Sequence, residues 1–160
     1  MGGPPNTLLP MPVMIVGADT PIGEAIVRHM THRDGEVRAF VSDPDAADRL
    51  KEAGVKVATG DVSDASHVEA ACTNVHTAVL LTEAADDGRQ RSFESSADAV
   101  VRGWAEAVVA ARVKRVLWVA PGEAPMTSVS EEAVVDSRID VETLVRRVVE
   151  LDEAISIPSR

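Results

Sequence analysis

The sequence lacks several residue types on which whole classes of function depend. Its 160 residues include no Tyr, one Cys, two Phe and two Trp, and the formal net charge is -10 at pH 7. The lone Cys72 excludes an internal disulfide, and four scattered His residues offer no metal-ligand spacing. The acidic balance disfavours nucleic acid and anionic membranes as general partners, because both require clustered Lys and Arg. No apolar run is long enough to span a membrane and no secretory signal is present, so we expect a cytoplasmic protein.

The chain does have a large aliphatic fraction. Hydrophobic residues make up 45% of it with few aromatics, so the core must consist of Val, Ile, Leu and Ala, which favours buried parallel strands. From Val13 onward, apolar runs alternate with helical periodicity, which is typical of repeated βαβ units. We therefore predict an α/β protein with a doubly wound parallel sheet of about six strands and helices on both faces. Residues 1–12 are expected to form a flexible leader and residues 13–160 a single domain.

The same alternation predicts the individual elements. Strands are expected at residues 13–16, 37–41, 55–58, 77–81, 115–119 and 154–157. Pro44 is expected to open a short helix after Asp43 as N-cap, and a long helix should begin at Ala97. Ser130 is expected to be the N-cap of the last helix, and the polar stretch 83–96 is predicted to be a loop or a mobile lid.

Residues 13 to 27, VMIVGADTPIGEAIV, place a glycine turn between the first strand and the first helix. Such a turn suits a phosphate group, because a helix N-terminus presents free N–H groups and a partial positive charge. Gly17 permits the tight turn and Gly23 permits close helix packing. Thr20 stands where a third glycine would let a pyrophosphate approach, and Pro21 lacks an N–H, so weakened binding is expected. The alternative is a turn that needs its glycines for geometry alone.

The succession VMIVGADTPIGEAIV, VRAFVSDPDAADRLKEAGVKVATGDVSDASHVEAACTNVHTAVLLTEA and VKRVLWVA resembles the NmrA-like branch of the atypical short-chain dehydrogenase/reductases. The resemblance runs from Val13 to about Pro158. It implies a Rossmann-like fold and an NAD(P) site, with Asp61 in the position that the family places beside the adenine. The implied cofactor-binding residues are Gly17, Ala18, Thr20, Pro21, Ile22, Gly23, Ser42, Asp43, Asp61, Val62, Leu81 and Thr82.

The resemblance also bears on the choice between NAD and NADP. Family members often place an Arg at the end of the second strand to hold the 2′-phosphate. Here Ser42 and Asp43 follow that strand, and an aspartate would repel the phosphate and accept from a ribose hydroxyl. NAD is therefore slightly favoured over NADP, although Arg38 and Arg49 lie close enough in sequence to hold the phosphate instead.

The sequence departs from the family where hydride transfer is catalysed. The family's reductases use a Tyr whose pKa is lowered by a Lys four residues later, and in the favoured register these positions hold Val134 and Arg138. Ala120 stands where a Ser is common at the end of the fifth strand. The family's substrate-binding region usually follows a proline matching Pro158, and this sequence ends at Arg160.

Three functions remain open. The favoured one is a dinucleotide sensor or regulatory subunit without hydride transfer, a pseudoenzyme of GC-rich bacterial type by composition. The second is a small oxidoreductase or isomerase with acid/base groups from Glu83, Glu123 or a partner chain. The third is an interaction module with a closed nucleotide site. Trp104 is expected either in the core or at a contact surface, so a homodimer through its helix, or a protein partner, is a further possibility.

Overall fold

The computed structural model describes residues 11–33, 35–86 and 96–160. Six strands form one sheet in the order β3-β2-β1-β4-β5-β6, and every neighbouring pair is parallel. The strands are β1 (Val13–Val16), β2 (Val37–Val41), β3 (Lys56–Thr59), β4 (Thr77–Leu81), β5 (Arg115–Ala120) and β6 (Glu131–Asp136). The helices are α1 (Pro21–Met30), α2 (Pro44–Glu52), α3 (Ala65–Ala71), α4 (Ala97–Ala110) and α5 (Val141–Glu153).

Helices cover both faces of the sheet, so the predicted fold class is confirmed. Side chains of α1, α2 and α5 share one hydrophobic cluster with one face of the strands. Side chains of α3 and α4 share a second cluster with the opposite face. Both clusters consist mainly of aliphatic residues, because strands of a parallel sheet are buried on both sides. Within the described ranges, no helix is both long enough and apolar enough to cross a membrane.

Each of the five helices in the described ranges begins at a polar residue whose side chain accepts a hydrogen bond from a backbone N–H of the first turn. Such caps satisfy donors that the helix itself leaves unpaired. The N-caps are Thr20, Asp43, Asp64, Ser96 and Asp140. A proline occupies the first position of α1 and of α2, where its missing N–H costs nothing.

The segment after Ser130 folds differently from the prediction. Glu131–Asp136 is the edge strand β6, paired in parallel with β5, whereas a helix was expected there. The last helix begins at Val141 with Asp140 as its N-cap, so Ser130 does not cap it.

Partners on β5 explain how a segment that begins with two glutamates becomes a buried strand. Arg115 is 1% exposed and donates from Nε to the Glu131 carboxylate at 2.8 Å. The Trp118 indole N–H donates to the Glu132 carboxylate at 2.7 Å. Buried charged groups are tolerated when they are paired in this way, and neither partner lies nearby in the sequence.

The predicted final strand is also wrong. Residues 154–157 form no strand, and the chain there joins the edge of β6 through the Glu132 N–H, which donates to the Pro158 carbonyl at 3.0 Å. The predicted third strand is displaced by one residue, to Lys56–Thr59. Of the predicted leader, residues 1–10 lie outside the described residues, as do residues 87–95 of the predicted loop or lid. That stretch opens instead with the 3₁₀ turn Thr82–Ala85.

Trp104, whose position the sequence left undecided, and Cys72, which was expected in the core, are both buried there. Trp104 is fully buried and its indole N–H donates to the Val62 carbonyl at 2.7 Å. A contact between copies through α4 stays a prediction, and it would have to use other residues of that helix. Cys72 is buried, and its burial raises the pKa of the thiol to about 12, as expected of a small hydrophobic core residue.

Candidate functional site

The strand order reverses between β1 and β4, and ligands of open α/β sheets bind outside the carboxyl ends of strands at such a point. Gly17 follows β1 directly, Ser42 follows β2, and Thr82 follows β4. The structure therefore brings three separate parts of the predicted site to one edge of the sheet.

Close contacts require both glycines of the turn after β1. Gly17 has a φ of +92°, and a Cβ added to it would lie 2.6 Å from the Cβ of Ala84. A Cβ on Gly23 would overlap the carbonyl oxygen of Gly17 and lie 2.8 Å from the Cα of Ala18. The turn is therefore closely packed against both α1 and the 3₁₀ turn.

Thr20, which replaces the third glycine, is folded into the turn. It is 3% exposed, and its Oγ1 donates to the Gly17 carbonyl at 2.8 Å and accepts from the Gly23 N–H at 3.1 Å. The hydroxyl thus serves as the N-cap of α1 and closes the turn. The side chain is thus held within the turn, against the N-terminus of α1.

The first N–H groups of α1 all have acceptors within the protein. Pro21 has no N–H, the Gly23 N–H donates to Thr20, and the Glu24 N–H donates to the Thr20 carbonyl at 2.8 Å. The Ile22 N–H donates to Oε1 of Glu83 at 3.3 Å. A carboxylate from the 3₁₀ turn after β4 therefore lies at the helix N-terminus, where a bound anion is favoured.

A second carboxylate lies at the end of β2. Oδ2 of Asp19 accepts from the backbone N–H groups of Ser42 at 3.0 Å and Asp43 at 3.1 Å. The Ser42 hydroxyl donates to the Gly60 carbonyl at 2.9 Å, which ties β2 to the end of β3. The carboxylate of Asp43 accepts from the Asp45 N–H and caps α2. Asp19 therefore adds a second anion beside Asp43 at the end of β2, which the sequence did not single out. A ligand contact by Ser42 or Asp43 stays a prediction.

Asp61 and Val62 follow β3 at the same edge of the sheet. Oδ1 of Asp61 accepts from the N–H of Ser63 at 2.8 Å and from its hydroxyl at 2.6 Å, which closes a local turn. Val62 is buried, and its carbonyl accepts from Trp104. The structure explains both residues by local packing, and their expected position beside an adenine stays a prediction.

The remaining predicted residues lie in the turn after β1 and around the end of β4. Ala18 and Leu81 are fully buried. The Thr82 hydroxyl donates to the Val119 carbonyl at 3.2 Å, which fixes the start of the 3₁₀ turn to β5. A ligand contact by these residues also stays a prediction.

The two arginines considered for a 2′-phosphate differ in position. Arg38 lies four residues before Ser42 on β2, roughly 13 Å away at 3.3 Å per residue, and donates to the Thr73 carbonyl. Arg49 lies on α2 with its guanidinium 3.5 Å from the carboxylate of Glu24, in the first turn of α1. Arg49 is therefore the better placed of the two.

A cavity of about 650 Å³ lies beside Glu83, at the carboxyl ends of β4, β5 and β6. Its described lining contains four carboxylates and one guanidinium, with no Tyr, Lys or His. The lining residues are Thr82, Glu83, Asp86, Ala97, Asp98, Val101, Arg102, Pro121, Glu123, Pro125 and Ser137. The sequence indicated Glu83 and Glu123 as candidate acid/base groups, and the structure places both around this cavity.

The register that assigns Val134 and Arg138 to the positions of the family's Tyr and Lys is wrong, because Glu131–Asp136 is a strand. Val134 lies on β6 opposite Trp118, and Arg138 lies in the turn that follows, with Nε 3.0 Å from the Asp136 carboxylate. The two residues do not share a helix face, so this segment does not reproduce the Tyr and Lys arrangement. Ala120 is buried at the end of β5, as its strand position required.

Residues 17–151, from the turn after β1 into α5, match a family model described as NAD(P)H-binding. The chain belongs to this family. It therefore has an NAD(P)-binding domain of Rossmann type, as the resemblance implied.

Solved structures share this fold. ChuY, an anaerobillin reductase from Escherichia coli O157:H7, is 26% identical over 68% of this chain and 50% of its own, with a TM-score of 0.53. The quinone oxidoreductase QOR2 from Escherichia coli in complex with NADPH is 22% identical over 68% of this chain and 36% of its own, with a TM-score of 0.55. The triphenylmethane reductase from Citrobacter sp. in complex with NADP(H) is 14% identical over 88% of this chain and 45% of its own, with a TM-score of 0.57.

At 22% and 14% identity, the similarity to QOR2 and to the triphenylmethane reductase shows only that the chain shares their fold. The chain spans half or less of the length of these three proteins. No curated protein matches the sequence.

Proposed function

We propose that residues 13–160 act as one domain that binds a nicotinamide dinucleotide at the carboxyl edge of β1, β2 and β4 and senses it without transferring hydride. The observation that carries this proposal is the Ile22 N–H, presented by α1 at the reversal of strand order and matched to an anionic group. The domain would report dinucleotide levels as a sensor or as the regulatory subunit of a protein partner. Its single, buried Cys72 suits a reducing compartment such as the cytoplasm.

The residues of the turn fit a dinucleotide. Gly17 and Gly23 keep the turn tight, and the hydroxyl of Thr20 is held within the turn by the Gly17 carbonyl. The pyrophosphate would be held by the Ile22 N–H and the positive end of α1. The adenosine ribose would lie toward Asp19, whose carboxylate can accept from its hydroxyls. A bound NAD(P)H would carry a transferable hydride, but the residues named here would only hold and orient the cofactor.

Asp19 supports a preference for NAD. Its carboxylate occupies the two N–H groups at the end of β2, and a 2′-phosphate placed there would meet a like charge. Arg49 lies nearby on α2 but is more than half exposed, so solvent and salt would screen its attraction for the phosphate.

The proposed loss of catalysis follows from the missing proton donor. Reduction of a carbonyl group by hydride requires a proton at the oxygen, which Tyr supplies in the family's reductases. The whole sequence contains no Tyr, and the described lining of the cavity contains no Lys or His. The domain is thereby suited to holding the cofactor and poorly suited to catalysing carbonyl reduction.

Two assays on the same protein test the proposal. NADH fluorescence should titrate to saturation, while the rate of NADH oxidation with quinone acceptors should stay at the buffer rate. Asp19→Asn should tighten NADPH binding about tenfold more than NADH binding, since it removes the charge that faces the 2′-phosphate. Asp45→Asn removes a charge from the first turn of α2 and should change both affinities equally. Saturable binding with rapid acceptor-dependent turnover would overturn the sensor role, and an unchanged NADH/NADPH ratio in Asp19→Asn would overturn the NAD preference.

The cavity of about 650 Å³ favours one second candidate, a small oxidoreductase. In that case Glu83 or Glu123 would deliver the proton. Acceptor-dependent NADH oxidation that is lost in Glu83→Gln or Glu123→Gln would support it over the sensor.

A further inference from the structure

We propose that Glu83 is a built-in competitor for the dinucleotide, whose carboxylate holds the place of the cofactor's pyrophosphate in the free protein. This inference rests on the proposed function, because it concerns the regulation of the same site. The relevant contact is the 3.3 Å hydrogen bond from the Ile22 N–H to Oε1 of Glu83.

The first turn of α1 has only one donor to offer an anion. Pro21 lacks an N–H, and the Gly23 N–H is held at 3.1 Å by the buried hydroxyl of Thr20. The Glu24 N–H closes the turn on the Thr20 carbonyl. The Ile22 N–H is left, and an anionic ligand can reach it only by displacing the carboxylate of Glu83.

The backbone on either side of Glu83 is held in place, so displacing the carboxylate requires movement of the Glu83 side chain alone. Ala84 is fully buried against Gly17, and the Thr82 hydroxyl is hydrogen-bonded to β5. Glu83 itself is partly exposed and lines the cavity of about 650 Å³. A rotation about its side-chain bonds would carry the carboxylate from the helix end into that cavity, where Arg102 forms part of the wall.

This movement of the Glu83 carboxylate couples the N-terminus of α1 to the neighbouring cavity. While the Glu83 carboxylate lies at the N-terminus of α1, it offsets the partial positive charge there and repels the negative charge of the dinucleotide. With the dinucleotide bound, the carboxylate joins the acidic wall formed by Asp86, Asp98 and Glu123. Occupancy of the cofactor site therefore changes the charge that the cavity presents to a substrate or a partner, which is the kind of output that a sensor requires.

Equilibrium titration with NADH tests this role in the wild type, Glu83→Gln and Glu83→Ala, with Glu123→Gln as the matched control. Glu123 lines the same cavity and is exposed, with no hydrogen bond to α1 in the described structure, so its variant removes an equal charge without freeing the Ile22 N–H. The Kd for NADH should fall about tenfold in Glu83→Ala and in Glu83→Gln, and by less than about twofold in Glu123→Gln.

A second measurement needs no cofactor. In ¹H–¹⁵N spectra of the free protein, Glu83→Ala should shift the Ile22 amide signal, because its hydrogen-bond acceptor is removed, and Glu123→Gln should leave it in place.

The outcomes separate this inference from the proposed function. If the wild type binds NADH and the Glu83 variants bind it no more tightly, the competitor role is wrong and the binding function stands. An equal gain in the Glu123→Gln control would assign the effect to overall charge, which also overturns the competitor role. If no variant and no wild type binds NADH at millimolar concentration, both proposals fail.

Discussion

The clearest prediction concerns the hydroxyl of Thr20, which closes the turn where a glycine is usual. Thr20→Val keeps the shape of the side chain and suits its extended backbone (φ -98°, ψ 161°), but removes both hydrogen bonds of Oγ1. The Gly17 carbonyl keeps the Thr20 N–H as a donor at 3.2 Å, whereas the Gly23 N–H loses its acceptor. A lost N-cap costs about 1 kcal/mol, and a buried unsatisfied donor costs about 1–3 kcal/mol. We therefore expect Thr20→Val to lower the free energy of unfolding by about 2 kcal/mol.

Thr20→Ser is the matched control, because it keeps the hydroxyl and removes one methyl group. Burial of that methyl group is worth about 0.8 kcal/mol, so the serine variant should lose less than half as much stability as the valine variant. Urea denaturation followed by circular dichroism measures both changes. Equal losses in the two variants, or a neutral valine variant, would refute the assignment of the hydroxyl to the turn.

Three further predictions address the turn, the core and the surface charge. Gly23→Ala should lower the free energy of unfolding by at least about 3 kcal/mol, because its Cβ would overlap backbone atoms. Gly122→Ala, with no heavy atom within 4 Å of its Cβ, should change that free energy little. Similar denaturation midpoints for the two variants would contradict this. Trp104→Phe should lower the free energy of unfolding by about 2 kcal/mol, because the Val62 carbonyl loses its indole donor. The elution volume of the variant on size exclusion should be unchanged. A change of oligomeric state would instead indicate that Trp104 lies at a contact surface. Neighbouring guanidinium and ammonium groups lower the pKa of Glu36 from 4.5 to about 2, so its contribution to stability is complete above about pH 4.5 and lost as the pH falls toward 2. Glu36→Gln should flatten the pH dependence of stability in that window, and an acid limb identical to that of the wild type would contradict the assignment.

The parts of the fold that were predictable have local signals. The first five strands are apolar runs bounded by turn residues, and Pro44 after Asp43 identifies the start of α2. β6 was missed because its first two residues are glutamates, and Arg115 and Trp118, the side chains that make their burial possible, belong to another strand. A pattern read along one segment does not contain that information.

The candidate site likewise has parts that the sequence predicted and parts that it did not. The glycine turn and the strand ends were predicted, because their positions follow from the alternation of strands and helices. The hydrogen bonds that Asp19 and Glu83 accept were not predicted. Each depends on contact between segments that are distant in sequence, at the ends of β2 and β4. The inward orientation of Thr20 likewise depends on the three-dimensional turn and not on residue type.

The most direct test of the central claim, that a dinucleotide binds at the Gly17–Gly23 turn, is a ¹H–¹⁵N titration of the full chain with NADH. A protein of 16.9 kDa is small enough for every described amide to be followed. The account predicts saturable shifts that are largest at Ile22, Gly23 and Ser42, and at Glu83 as its carboxylate leaves the helix end. Unchanged spectra at millimolar NADH, or shifts confined to residues away from the carboxyl edge of the sheet, would contradict it.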